Sequence, residues 1–313
     1  MRSSRLDIKY EHISTKDRPS DCNAGLWLDR YLPTQSKQLT NAEQSINSLP
    51  QHFADVTKIA HQMHSSKLYQ QFFARWLNTL KEIPDICLLK AEVKGRMVVG
   101  LGAESVLENS IALQRTYGMP YIPGSALKGL ASSFAHQRLG QSPANAAPIN
   151  DWAKGGKFHR ELFGTTELSG CVSFYDALYI PPDTPKPDGP LYSDVITVHH
   201  RDYYQGKKKV SSTDGQAQSK KQAFSNRNQE QSMPPADWDS PTIIPFLSAT
   251  GHYLVALSGV EGWRDAARTL LANGLTHMGI GAKTSSGYGR MKLGEMCKNE
   301  QQIEALLQRL NKK

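Results

Sequence analysis

The chain has 313 residues, enough for two compact domains or one domain with large insertions, and 39% of them are hydrophobic. Its formal charge of +8 favours a polyanionic partner. No apolar run approaches the ~18 residues of a membrane span, and MRSSRLDIKYEH at the amino terminus has cations with no apolar stretch behind them, so neither a membrane protein nor a secreted one is expected.

Residues 1–38 mix charge, proline and polar side chains without a period and are expected to be irregular. From Thr40 to Leu80 the pattern turns helical. Leu68, Phe72, Phe73, Trp76, Leu77 and Leu80 make a broad apolar face, and Pro84 ends it. Phe73 and Trp76 on that face suit either a core or a partner. His61 and His64 stand at i, i+3; without a cysteine or carboxylate partner they read as surface histidines rather than a metal site. Next, CLLKAEVKG alternates Leu89, Ala91 and Val93 with Lys90, Glu92 and Lys94, the period of a half-buried strand, and Met97 to Leu101 could extend or pair with it.

PYIPGSALKGLASSFAHQRLG predicts a helix with Ser125 as N-cap, an apolar stripe of Leu127, Leu130, Ala131 and Phe134, and Gly140 as its stop. After a linker near 141–150, GCVSFYDALYI reads as a strand and LYSDVITVHH as extended. TIIPFLSATGHYLVALSG gives two strand-like runs around an Ala-Thr-Gly turn. WRDAARTLLANGL is an amphipathic helix, GYGRMKL a strand, and NEQQIEALLQRL a capped helix with Ile303, Leu306, Leu307 and Leu310 inward. From Cys87 onward the order is strand, helix, two or more strands, helix, strand. That is the split βαβ or ferredoxin-like order of an α+β fold with inserts; a doubly wound parallel sheet would need a helix between every successive pair of strands.

Cys22, Cys87, Cys171 and Cys297 lie far apart with no CxxC pair, which suits small hydrophobes in the cytoplasm better than a zinc site or a disulfide framework. Residues 205–232, QGKKKVSSTDGQAQSKKQAFSNRNQEQS, contain almost nothing to bury and should stay mobile unless a partner orders them. Residues 201–233 hold seven Lys or Arg against three acids, a net of +4. A solvated surface insertion fits that composition; so does a basic segment beside a polyanion, with Lys207, Lys208 and Lys209 as contacts.

GIGAKTSSGYGRM, residues 279–291, combines four glycines, two early and two late, with hydroxyls and cations. It is not a P-loop, because Ala282 rather than glycine precedes Lys283 and the segment runs from helix to strand. It is not a dinucleotide fingerprint, because Thr284 stands where a third glycine would follow Gly279 and Gly281. What remains is a loop in which Lys283, Thr284, Ser285, Ser286 and Arg290 can donate to phosphate and Tyr288 can stack, as suits single-stranded nucleic acid. A plain glycine-rich turn fits the composition equally. A second place tips the balance. Lys128 near a helix start opposes the helix dipole, and Gly129 beside it costs up to about 1 kcal/mol relative to alanine. Both make sense if phosphate docks there with Ser125; close packing at Gly129 and a snorkelling Lys128 are the alternative.

The segments from Val98 to Ala135, LFGTTELSGCVSFYDALYI and GIGAKTSSGYGRM resemble the three signature regions of RAMP proteins from type III-B (Cmr) CRISPR–Cas systems, with DVITVHHRDYY and PPADWDSPTIIPFL supporting the likeness from about Val98 to Met291. The resemblance implies an RRM-like, ferredoxin-type core (residues 85–298) with an antiparallel sheet, a helical amino-terminal insertion (1–84), the mobile basic insertion, and a carboxy-terminal helix (299–313). It implies guide RNA (crRNA), target RNA and sister RAMP subunits of the Cmr complex as partners in antiviral defence, with no cofactor, metal or membrane. Carried over residue by residue, Ser125 and Lys128 match the first RNA-facing motif, and Gly279, Gly281, Lys283, Gly287, Tyr288, Gly289 and Arg290 match the glycine-rich loop. The usual arginine soon after the first motif is replaced by Ala131, Ser132 and Ser133. Because relatives grip RNA through loops and helix ends, Lys283 and Arg290 on phosphate are expected ahead of Tyr288 stacking. A non-catalytic guide-binding and assembly subunit is expected. The alternative is a metal-independent endoribonuclease, for which His199 or His200 would supply acid–base chemistry.

Overall fold

The computed structural model describes residues 22–31, 42–107, 109–141, 150–182, 189–198, 242–295, and positions 308 and 310. A short helix, α1 (Ala24–Arg30), stands where the sequence led us to expect irregular chain. Asn23 makes it: its side-chain oxygen accepts from the Leu26 N–H at 2.9 Å, and its Nδ2 donates to the carbonyls of Arg115 and Thr116. The helical region that follows is two helices, α2 (Ala42–His64) and α3 (Lys67–Lys81), divided where Ser66 caps α3 by accepting from the Tyr69 N–H. The buried face of α3 is Tyr69, Phe73, Leu77 and Leu80, while Leu68, counted in the expected stripe, is 45% exposed. Phe73 is a core residue with no exposure, so it is not a partner contact.

The sheet core follows. Its elements are β1 (Ile86–Val93), β2 (Tyr121–Ile122), α4 (Gly124–Phe134), β3 (Val172–Phe174), β4 (Ala177–Tyr179), β7 (His252–Gly259), α6 (Glu261–His277) and β8 (Met291–Glu295). Between them come α5 (Lys157–Phe163) and the strands β5 (Leu191–Val198) and β6 (Thr242–Ala249). Strand order is β2-β4-β7-β1-β8, with β3 also on β7, and every pairing is antiparallel. The expected single strand over GCVSFYDALYI is thus two short ones, and α5 was not anticipated. Leu127, Leu130 and Ala131 of α4 and Ala267, Leu270, Leu271 and Leu275 of α6 pack with Leu89, Ala91, Val255 and Leu257. On the other face, Phe73, Leu77 and Leu80 of α3 cover Leu178, Leu254 and Ala256, and Leu310 joins them. The sheet therefore lies between helices on both faces.

β6 and β7 do not form the hairpin their spacing suggests. β6 pairs with β5 in a separate two-stranded sheet, and the chain changes sheets at Thr250-Gly251. Gly251 has φ +97°, and a Cβ there would sit 2.5 Å from the Tyr179 ring, so glycine is required at the crossing. The chain divides into two units. The second is Val195–Pro245, of which the described parts are the ends of β5 and β6; everything else belongs to the first. Residues 1–21, the 205–232 insertion with Lys207, Lys208 and Lys209, His199, His200, Cys297, Ile303, Leu306 and Leu307 lie outside the described residues. Among the described residues no helix is long and apolar enough to cross a membrane.

Candidate nucleic-acid interface

Helix α4 opens on Pro123 as N-cap rather than Ser125, and no side chain caps it. The Gly124 N–H donates to Oδ1 of Asp176 at 2.7 Å, while the N–H groups of Ala126 and Leu127 go to the Pro123 carbonyl. A carboxylate thus already occupies part of the helix start, which weakens the expected docking of phosphate on its N–H groups. Lys128 is the fifth helical residue, two positions further along than expected. What the helix does present is a strip. Ser125, Lys128 and Gly129, at i, i+3 and i+4, share the face opposite buried Leu127 and Leu130. A Cβ on Gly129 would meet nothing within 4 Å, which rules out close packing as its reason. Packing is the reason at Gly274 of α6, where a Cβ would lie 3.0 Å from Leu130 Cγ.

The glycine loop uses its backbone inward. The N–H groups of Ile280, Ala282, Tyr288 and Gly289 donate to the carbonyls of Gly289, Val98, Lys283 and Arg96. Gly279, Gly281, Gly287 and Gly289 all have positive φ, and a Cβ at Gly281 or Gly289 would run into the Val98 or Ile280 carbonyl oxygen. These glycines let the loop lie against the Arg96–Val99 backbone; they do not form a cradle of N–H groups. Donors to a partner are left to side chains. Lys283 is held in the left-handed region at φ 59°, Thr284 is half-exposed, and Ser285 and Ser286 are exposed. Arg290 reaches the Thr276 carbonyl at the end of α6, at 3.4 Å, so part of its role is to cap that helix. Tyr288 packs against Phe246, with ring centroids 6.0 Å apart, and its hydroxyl donates to Oδ2 of Asp194 at 3.2 Å. Ser248 donates to the same oxygen at 2.5 Å. Partial burial and the Asp194 charge push the Tyr288 phenol above its ordinary range.

A strip on α4 and a loop carrying Lys283 and Arg290 on an antiparallel α+β core suit a polyanion, and comparison with known proteins identifies the lineage. The RAMP superfamily model matches residues 90–292. The chain belongs to the RAMP superfamily. It is similar to the CRISPR system Cmr subunit Cmr6 of Pyrococcus furiosus, 28% identical over 285 residues that span 75% of this chain and 76% of that one. The CRISPR system CMR subunit Cmr6 of Saccharolobus solfataricus is 22% identical over 195 residues, 61% of each chain. A chain in the cryo-EM structure of the type III-B Cmr-beta bound to cognate target RNA shares the fold, with TM-score 0.52 and 17% identity over 87% of this chain and 85% of that one.

Beyond the motif positions, the RAMP core carries residues that local patterns do not reveal. Asp176 and Asp194 hold the helix start and the loop from 52 and 94 positions away. His64, His136 and His159 make contacts within the fold. His64, expected on the surface, is 1% exposed; its Nδ1 donates to the His61 carbonyl and its Nε2 has no partner among the described residues. Burial lowers its pKa. His136 donates from Nδ1 to the Ser132 carbonyl at 2.9 Å, and the buried His159 pairs through Nε2 with Ser132 Oγ at 2.8 Å. Among the described residues no three His, Cys, Asp or Glu are grouped to hold a metal ion.

Proposed function

We propose that this chain is a non-catalytic guide-RNA-binding and assembly subunit of a type III-B CRISPR effector complex, working in the cytoplasm near the crRNA 3′ end with sister RAMP subunits. Its core is ferredoxin-like. The succession β1, α4, β3/β4, β7, α6, β8 with β4-β7-β1-β8 as neighbours is a split βαβ pair, and the second β–α unit ends in the glycine loop. The observation that carries the proposal is Lys283. A lysine kept in a left-handed backbone, among glycines that serve the loop's shape, puts a half-exposed cation on the loop, its Nζ 5.5 Å from the Phe246 ring centroid, at a cost the loop itself does not need. The similar Pyrococcus furiosus protein is a subunit of the CRISPR Cmr system, and the related solved complex is bound to cognate target RNA, which supports RNA and sister subunits as partners here. α3 over part of one sheet face and α4 and α6 on the other support contact through loops and helix surfaces.

The test is a titration of the purified chain with matched single-stranded RNA and DNA at several salt concentrations, with and without Mg²⁺, followed by a gel of the RNA. Intact RNA bound more tightly than DNA, with a steep salt dependence, is the expected result. RNA cleaved in step with the purified chain, and spared by His199→Ala or His200→Ala, would establish an endoribonuclease instead.

A further inference from the structure

A groove of about 440 Å³ opens on the α3-covered face of the sheet. Lys90 and Glu92 of β1 stand opposite Leu254 and His252 of β7, in the same alternation as Leu88 and Ala256. α3 therefore closes the Leu88–Ala256 end of that face, and the groove occupies the Lys90–His252 end. Its wall includes Arg96 and Tyr192, with the guanidinium carbon 3.3 Å from the ring centroid. Among the described lining residues the one acid, Glu92, lies 2.8 Å from Lys94 Nζ, which draws its carboxyl below the usual range and offsets its charge. The other charged and ring-bearing residues of the described lining are Lys90, Arg96, His252, Tyr179 and Tyr192, and the volume has room for one nucleotide.

The geometry points to a binding site for a single unpaired nucleotide of an RNA strand, its base laid on the Arg96–Tyr192 stack and its phosphate facing Lys90. This rests on the RNA-binding role proposed above and extends it to a place outside the signature motifs. Guanidinium planes and aromatic rings are the surfaces on which unpaired bases stack, and one plane of Arg96 is already backed by Tyr192. The backbone at the Arg96 wall of the groove is also hydrogen-bonded to the glycine loop. The Gly289 N–H donates to the Arg96 carbonyl at 2.8 Å, and the Lys94 N–H to the Arg290 carbonyl at 2.7 Å. Tyr192 and Asp194, two residues apart on β5, take Arg96 and Tyr288 respectively, so one strand braces both places.

The experiment measures binding of a short single-stranded RNA to the full chain and to Arg96→Ala, Arg96→Lys, Tyr192→Ala, Lys90→Ala and Lys283→Ala variants, with thermal melts as a check of folding. The same RNA carrying 4-thiouridine at successive positions is photo-crosslinked and the adducts mapped. Arg96→Ala and Tyr192→Ala are each expected to lower affinity about fivefold or more, the effect of losing one stacked base. Arg96→Lys, which keeps the charge and loses the plane, is expected to behave as Arg96→Ala. One thiouridine position should crosslink to the Lys90–Arg96 or Leu191–Asp194 segment. Wild-type affinity in the folded Arg96 and Tyr192 variants, with Lys283→Ala weakened, overturns the groove and leaves the RNA-binding role standing. Unchanged affinity in every variant, Lys283→Ala included, overturns both. Groove variants that keep RNA but fail to join sister subunits in size-exclusion runs would give the groove to a protein partner. Saturable binding of free AMP or UMP that Arg96→Ala abolishes, with RNA affinity unmoved, would give it to a free nucleotide.

Discussion

Tyr288 and Asp194 are 94 positions apart, and the phenol of one donates to the carboxylate of the other at 3.2 Å. Ser248 shares that acceptor, so Asp194 fastens the glycine loop to the base of the β5–β6 pair. Asp194→Ala leaves two hydroxyls without their acceptor and is expected to destabilise the protein by about 1–3 kcal/mol, read from the shift of a urea unfolding midpoint. Tyr288→Phe removes the donor instead and should cost less, about 0.5–1.5 kcal/mol. The phenol's raised pKa gives the sign of its pH effect. The interaction is fully present below pH 10 and is lost as pH rises through the folded value. In a spectrophotometric titration the component missing from Tyr288→Phe should lie above 10, and Asp194→Asn should bring it down.

Gly129 separates two roles for a helix glycine. With nothing within 4 Å of its missing Cβ, Gly129→Ala is expected to stabilise the protein by about 0.5–1 kcal/mol. Gly274→Ala, where Leu130 Cγ stands 3.0 Å away, should not stabilise it. If RNA backbone lies against the Ser125–Lys128–Gly129 strip, Gly129→Ala also weakens RNA binding while the melting temperature rises. A stabilised variant with unchanged affinity would take the strip out of the interface.

At Lys283 charge and backbone can be tested apart. Lys283→Gly removes the charge and the left-handed penalty together, so stability should rise by up to about 1 kcal/mol while RNA affinity falls. Lys283→Ala should lose the same affinity without the gain. Each should flatten the salt dependence by about 0.7 in the log–log slope, one phosphate contact on a single strand, as should Lys128→Ala.

His64 predicts acid sensitivity. Burial favours its neutral form, and the ring of His61, 4.8 Å away between centroids, opposes a second positive charge. With the folded pKa below 6.5, its contribution is whole above pH 6.5 and is lost as pH falls through the folded value. His159, lowered first by burial and then by His136 and Lys154, acts in the same sense. Thermal melts between pH 7.5 and 5 should show a falling midpoint, and His64→Leu should make that fall shallower. An equal slope in the variant would remove His64 from the account.

Most of the sheet core was legible because its signals are local. The alternation through Leu89, Ala91 and Val93 and the stripe of Leu127, Leu130 and Ala131 each report one buried face, and both faces are where the pattern puts them. The partings were set by distant partners. Nothing near Thr250-Gly251 says that β6 leaves for β5, because the reason is the Tyr179 ring packed over Gly251. Ser125 looked like a cap until Pro123 took that place and Asp176 took the Gly124 N–H. Asn23 starts α1 through carbonyls 92 and 93 positions away. In the site, the cations and glycines were legible as types, but whether a glycine shapes the loop or opens a surface depends on what its missing Cβ would touch. Lys90 and Arg96 had a usable signal in CLLKAEVKGR, cations on the polar side of a strand and in the turn that follows it.

The chain leaves the first unit after Asp194 and returns at Phe246, and the Ser248–Asp194 hydrogen bond ties the two ends together. An excursion closed at its own base adds little to the cost of folding when it grows, about 0.6 kcal/mol for each doubling of its length. The stretch from Val195 to Pro245 is therefore free to be lengthened, shortened or rewritten over evolutionary time without disturbing the sheet. Change can accumulate there while the sheet core stays as it is.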